Sequence, residues 1–172
     1  MRLLWVDIET TGLDPHRHKM LEIALVETDE DGEIVFEFPH VIHVEDVLDY
    51  ITEDVVSDMH ESSGLIDECS IKGINTKEYV EGFLYGMNLH NKGIRMAGTG
   101  VHFDRAWLKI HMPRLESLFS CRSFDMSTLR AFLGWPKHDE RPHRALADLR
   151  QDIQDYQGML SWMETKAFRE AP

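Results

Sequence analysis

The chain has 172 residues, with 31 acidic and 18 basic side chains giving a formal net charge of −13. That length suits one domain whose core needs no disulfide framework, and 42% hydrophobic with 28% charged residues is the balance of a globular protein. The charge argues against gripping long nucleic acid by bulk electrostatics, though it leaves room for a small or metal-bridged anionic substrate.

No apolar run approaches the roughly 18 residues needed to span a bilayer, so no membrane is expected. The start, MRLLWVDIETTGL, lacks the pattern of a secretory signal. Cys69 and Cys121 match no zinc spacing, so a reducing, cytoplasmic setting is expected. Residues 3–8, LLWVDI, form a short apolar run ending in acid and read as a buried strand. TTGLDPHRHK follows as a loop. Residues 20–28 read as a second strand, 29–32 as a turn and 33–44 as a third strand, which makes residues 1–44 a meander. Glu45 to Cys69 reads as broken helix. Asn75 or Thr76 caps the next helix, in which Tyr79, Phe83 and Met87 recur at i+4 and are expected to face the core. Residues 94–100 read as a buried strand entering a Gly-rich turn, followed by a helix from Phe103 to His111 that Pro113 stops. RSFDMSTLRAFL gives a short strand and a helix starting near Asp125 or Ser127, and Pro136–Pro142 is a polar loop. A last helix runs from Arg144 to Met163. The pattern predicts one α/β domain over residues 1–165, built on a mixed five-stranded sheet flanked by helices, with a C-terminal tail at 166–172.

The acids at element ends carry the chemistry. Asp7 and Glu9 close the first strand, and residues i and i+2 of a strand share a face about 6–7 Å apart. A second D-x-E, Asp31 and Glu33, lies in a plain turn, so context distinguishes the first. Asp104 stands at a strand-to-helix junction, where sites gather in α/β sheets. His143 and Asp148 form the only H-x4-D among ten histidines. On a regular helix they would lie about 140° apart, so Pro142 places His143 on a loop before the helix and Asp148 within it. Each feature alone has an ordinary explanation: a solvated strand end, a helix-start acid favoured by the dipole, a surface histidine. Together they are oxygen ligands suited to Mg²⁺ or Mn²⁺, with an imidazole able to take a proton near neutral pH. Two such ions about 3.5–4 Å apart serve phosphoryl displacement.

These motifs resemble those of the DEDDh exonuclease superfamily, whose fold is ribonuclease-H-like: DIETTGL at 7–13, FDRAWL at 103–108 and HRALAD at 143–148. MHESSGL at 59–65, MPRLESLF at 112–119 and RSFDMSTL at 122–129 are similar to the oligoribonuclease branch. The resemblance implies a 3′→5′ exonuclease acting on short single-stranded RNA or DNA oligonucleotides, a homodimer, and two divalent ions, Mg²⁺ or Mn²⁺. It makes Asp7, Glu9, Asp104 and Asp148 the metal ligands and His143 the general base. Thr10, Gly12, Leu13, His60, Ser63, Arg122 and Ser127 become substrate-binding residues, with Leu13 wedged between two bases and Arg122 and Ser127 on the 5′ phosphate. Gly100, Cys121 and Val55 stand where the branch has a serine, a cross-subunit tyrosine and a tryptophan, which loosens the expected 5′ cap. The alternatives are a single-stranded DNA or proofreading-like exonuclease and, from another class, a non-catalytic nucleic-acid-binding module.

Overall fold

A computed structural model describes residues 3–51, 54–71, 76–86, 94–136 and 142–170. Its centre is a five-stranded mixed sheet formed by β1 (Leu3–Thr10), β2 (Met20–Thr28), β3 (Ile34–Val41), β4 (Ile94–Gly98) and β5 (Phe119–Asp125), in the order β3-β2-β1-β4-β5. The first three strands pair antiparallel, as the predicted meander requires, while β1 pairs parallel with β4 and β4 with β5. The third strand is shorter than its predicted 33–44 span.

β1 is apolar throughout its first half because it is buried on both faces. Leu4, Val6 and Ile8 pack on one side with Val80 and Leu84 of α3 (Lys77–Gly86) and with Trp107 and Leu108 of α4 (Val101–His111). Leu3 and Trp5 pack on the other with Leu149, Ile153, Tyr156 and Met159 of the long C-terminal helix, Ala145–Glu170. The Trp5 indole N–H donates to the Thr28 hydroxyl at 2.9 Å, so the buried ring leaves no polar atom unsatisfied. At Gly98, an added Cβ would lie 2.8 Å from the Val6 carbonyl, so β4 approaches β1 this closely only with glycine there.

The remaining α-helices are α1 (Asp54–Ser62), α2 (Leu65–Ser70), α5 (Pro113–Glu116) and α6 (Met126–Leu133), which makes the C-terminal helix α7, and a short 3-10 helix spans Val47–Tyr50. Pro113 does stop α4, and it opens the single turn of α5. Two expectations fail. Tyr79 and Phe83 are about half exposed, at 45% and 44%, and Val80 and Leu84 take the core positions instead. The two aromatic rings stack outward, Phe83 against Phe38 of edge strand β3 at 5.0 Å. The backbone of α7 also stays helical to Glu170, past the predicted helix end at Met163. Asn75, Met87 and the loop at 137–141 lie outside the described residues, as does the side chain of Val55. Among the described residues no helix is long and apolar enough to cross a membrane.

Candidate active site

The site forms where β1 and β4 end side by side, the position at which parallel strands in α/β sheets present functional groups. Asp7 and Glu9 sit on the last turns of the β1 pleat, Asp7 half-buried and Glu9 9% exposed. α4 starts after the Gly98–Gly100 turn and carries Asp104 in its first turn, at 3% exposure. Burial pushes the Asp104 carboxyl well above the ordinary aspartate range, and the charges of Asp7 and then Glu9 push it further. Backbone N–H groups of Asp104 and Ile8 oppose that rise. A buried carboxyl facing two others is costly unless a cation joins them.

α7 completes the cluster. It begins at Ala145, so His143 precedes it, in the left-handed conformation at φ 51, and Asp148 lies one turn in. Ligand-capable atoms of Glu9, His143 and Asp148 all fall within 4.8 Å of one another. The donor set is hard oxygen with one imidazole nitrogen, from groups that repel each other while empty. Glu9, His143 and Asp148 could hold a metal ion, with Asp7 and Asp104 beside them.

His60 adjoins this cluster. It is 1% exposed, and its Nε2–H donates to the Thr10 carbonyl at 2.9 Å. Burial, together with nearby His143, holds its pKa below the ordinary histidine value against that hydrogen bond. Its Nε2 also lies 4.0 Å from a Glu9 carboxylate oxygen. Its Nδ1 is buried and has no hydrogen-bond partner among the described residues.

The expected substrate-binding residues divide into two groups. Thr10 is buried and donates through its hydroxyl to the Gly12 carbonyl at 2.8 Å, and a Cβ on Gly12 would sit 2.6 Å from His18. Both therefore shape the loop after β1, from which Leu13 projects at 70% exposure. Ser63 closes α1 by donating to the His60 carbonyl at 3.1 Å. Arg122 and Ser127 lie instead on β5 and α6, both exposed. Asp125 ties that segment to α4: its carboxylate accepts from the N–H groups of Ser127 and Thr128 and from Val101 N–H at 3.1 Å. Cys121, Ser123 and Asp125 line, with His102, Arg105 and Lys109, an open groove of about 500 Å³.

Two residues at the site were not singled out from the sequence, Glu22 and Arg144. Glu22 is 3% exposed and lies directly opposite Glu9 in the β1–β2 register. An acid alone within the otherwise apolar run MLEIALV was the available signal.

The family model described as an exonuclease, RNase T, matches residues 4–156. The oligoribonuclease of Mycobacterium tuberculosis (strain CDC 1551 / Oshkosh) is 34% identical over 166 residues, 89% of this chain and 77% of that protein. The oligoribonuclease of Corynebacterium glutamicum (strain R) is 32% identical over 166 residues, 90% of this chain and 76% of that protein. Among solved structures, the zinc-ion-bound complex of E. coli exonuclease I with single-stranded DNA superposes with a TM-score of 0.70 at 17% identity, covering 91% of this chain. This chain spans 39% of exonuclease I, and the likeness is one of fold. With the model matching most of its length and the curated relatives above 30% identity, the chain belongs to the exonuclease family, with oligoribonucleases among its relatives.

Proposed function

We propose that this protein is a 3′→5′ exonuclease that hydrolyses short single-stranded oligoribonucleotides to nucleoside 5′-monophosphates. The observation that carries the reading is the convergence of Glu9, His143 and Asp148 within 4.8 Å, beside an Asp104 buried against Asp7 and Glu9. Asp7, Glu9, Asp104 and Asp148 would hold two divalent ions, Mg²⁺ or Mn²⁺, which when bound neutralise phosphate charge and acidify water. His143, on its loop before α7, takes the proton of the attacking water. Leu13 projects from the β1–β2 loop where it can wedge between the last two bases. His60 and Ser63 wall the cleft, Thr10 and Gly12 shape its floor, and Arg122 and Ser127 meet the 5′ phosphate, a task suited to the fork of arginine.

A second reading, activity on strands longer than two nucleotides or on DNA, is favoured by one feature. Cys121 lines an open groove where a bulkier cap was expected. A series of labelled dinucleotide, 20-mer RNA and 20-mer DNA, with and without chelator, tests both. A sharp preference for two ribonucleotides supports the first reading and a flat profile the second, while chelator-insensitive cleavage or none at all refutes both.

The assembly we expect is a homodimer. Trp107 and Leu108 are wholly buried in the core and offer it nothing, while Trp162 and Met163 on α7 are 40% and 37% exposed. Sedimentation at several concentrations tests it. A cytoplasmic setting accords with two free thiols, Cys69 buried and Cys121 exposed.

A further inference from the structure

The general base proposed above stands on an awkward piece of backbone. His143 has φ 51, a left-handed conformation that is strained for a non-glycine residue and must be held by its surroundings. The next residue supplies that hold. The Arg144 guanidinium donates to both oxygens of Glu22 at 3.2 Å and to both oxygens of Glu68 at 3.0 and 2.9 Å. It also reaches the Ser63 carbonyl at 3.3 Å. One side chain thus joins the start of α7 to β2, to α2 and to the α1–α2 connection.

Glu22 has a second task. Its Oε2 accepts the Ala145 N–H at 2.9 Å, the first backbone donor of α7, while the Arg144 carbonyl accepts the Asp148 N–H at 3.0 Å. A carboxylate reaching over from a strand therefore caps α7 and sits favourably on its dipole. Glu22 is also opposite Glu9 in the sheet register. The same carboxylate fixes the helix that carries Asp148, the arginine next to His143, and the strand pair that carries Glu9. Arg144 pairs with this buried carboxylate at 3.2 Å.

We propose that Glu22 and Arg144 are positioning residues, which hold the 143–145 backbone so that the His143 imidazole faces Glu9 and Asp148. The proposal rests on the reading of His143 as general base, and its test separates the two. Arg144→Lys keeps charge but loses the fork; Arg144→Met and Glu22→Gln remove the ion pair. The double variant Glu22→Gln/Arg144→Met removes both partners, and Arg150→Met, in an exposed pair with Glu37, is the control. Misplacement of a reacting group by about 1 Å costs on the order of 10²-fold. The expected result is therefore a kcat lowered roughly 10- to 100-fold with KM changed less than about threefold. Arg144→Lys should fall between wild type and Arg144→Met. The double variant should lose no more than either single one, since both act through one contact. The His143 ring resonance, assigned with His143→Gln, should shift or broaden in metal-free Arg144→Met and Glu22→Gln and stay fixed in Arg150→Met. Full kcat in any folded variant lacking the pair, or an unmoved His143 resonance, overturns the proposal. A wild type without nuclease activity overturns the functional reading instead, and the resonance still decides whether the pair holds His143.

Discussion

At the scale of single residues the site depends on charge held against its preference. Asp104 illustrates this: read from the sequence, it is a helix-start acid, ordinary at the positive end of a dipole. In the fold it is nearly sealed, with Asp7 and Glu9 raising its pKa beyond what burial alone does. Asparagine there, or at Asp148, keeps the shape and removes the charge. Asp104→Asn and Asp148→Asn should each lower turnover in Mg²⁺ or Mn²⁺ on the order of 10³-fold or more. In metal-free buffer the same substitution at Asp104 should raise Tm, because it relieves like-charge repulsion in a buried site. Undiminished cleavage would refute the site assignment, and a lowered metal-free Tm would refute the repulsion. The loss of activity and the gain of stability have one cause, so they should appear together.

At the scale of elements, α6 offers a cap whose worth depends on pH. Burial pushes the Asp125 carboxyl up, but hydrogen bonds from the Ser127 hydroxyl and from the N–H groups of Thr128, Val101 and Ser127 outweigh it. Its pKa is therefore held below the ordinary aspartate value. A carboxylate depressed in the folded state contributes stability above its unfolded pKa, about 3.9, and loses it as pH falls through the lower folded value. Asp125→Ala should cost about 1 kcal/mol near neutral pH, a Tm loss of roughly 2–4 °C for a chain of this size. The gap to wild type should narrow in melts taken below about pH 4. A gap that stays constant with pH would assign the cost to lost packing. This cap was readable in advance, since a short polar side chain before an apolar helix has a local signature, and Thr76 shows the same at α3 by accepting the Tyr79 N–H at 3.2 Å. The buried face of α3 was not readable. Tyr79–Phe83 and Val80–Leu84 have the same spacing, and the choice between them rests on β3 offering Phe38 as an outer stacking partner. Glu22 was missed for a related reason. Strand register brings it opposite Glu9, and its partner Arg144 lies 122 residues away in the chain. The candidate motifs, by contrast, are short and stand at a strand end or a helix start, where a local pattern marks them.

At the scale of the whole molecule, charge limits how substrate is held. Proteins that neutralise 6–10 phosphates with basic groups lose about 10³–10⁵ in affinity between 50 and 200 mM salt. In a chain with a net charge of −13, acidic side chains outnumber basic ones. Contacts to a dinucleotide would come from bound divalent ions and from Arg122, so its KM should rise less than about tenfold over that salt range. A 20-mer meets a different balance. Its outer phosphates face an acidic surface, and screening weakens that repulsion as salt rises. The ratio of KM for the 20-mer to KM for the dinucleotide should therefore fall with added salt. The open groove beside Cys121 sharpens the test, because among its described lining residues Arg105 is already paired with Glu116 at 2.7 Å, which leaves His102 and Lys109 to meet a longer strand. A steep loss of 20-mer binding with salt would reveal a basic track and overturn this expectation. A ratio that falls would show that length is limited by repulsion over the surface and not by closure of the cleft.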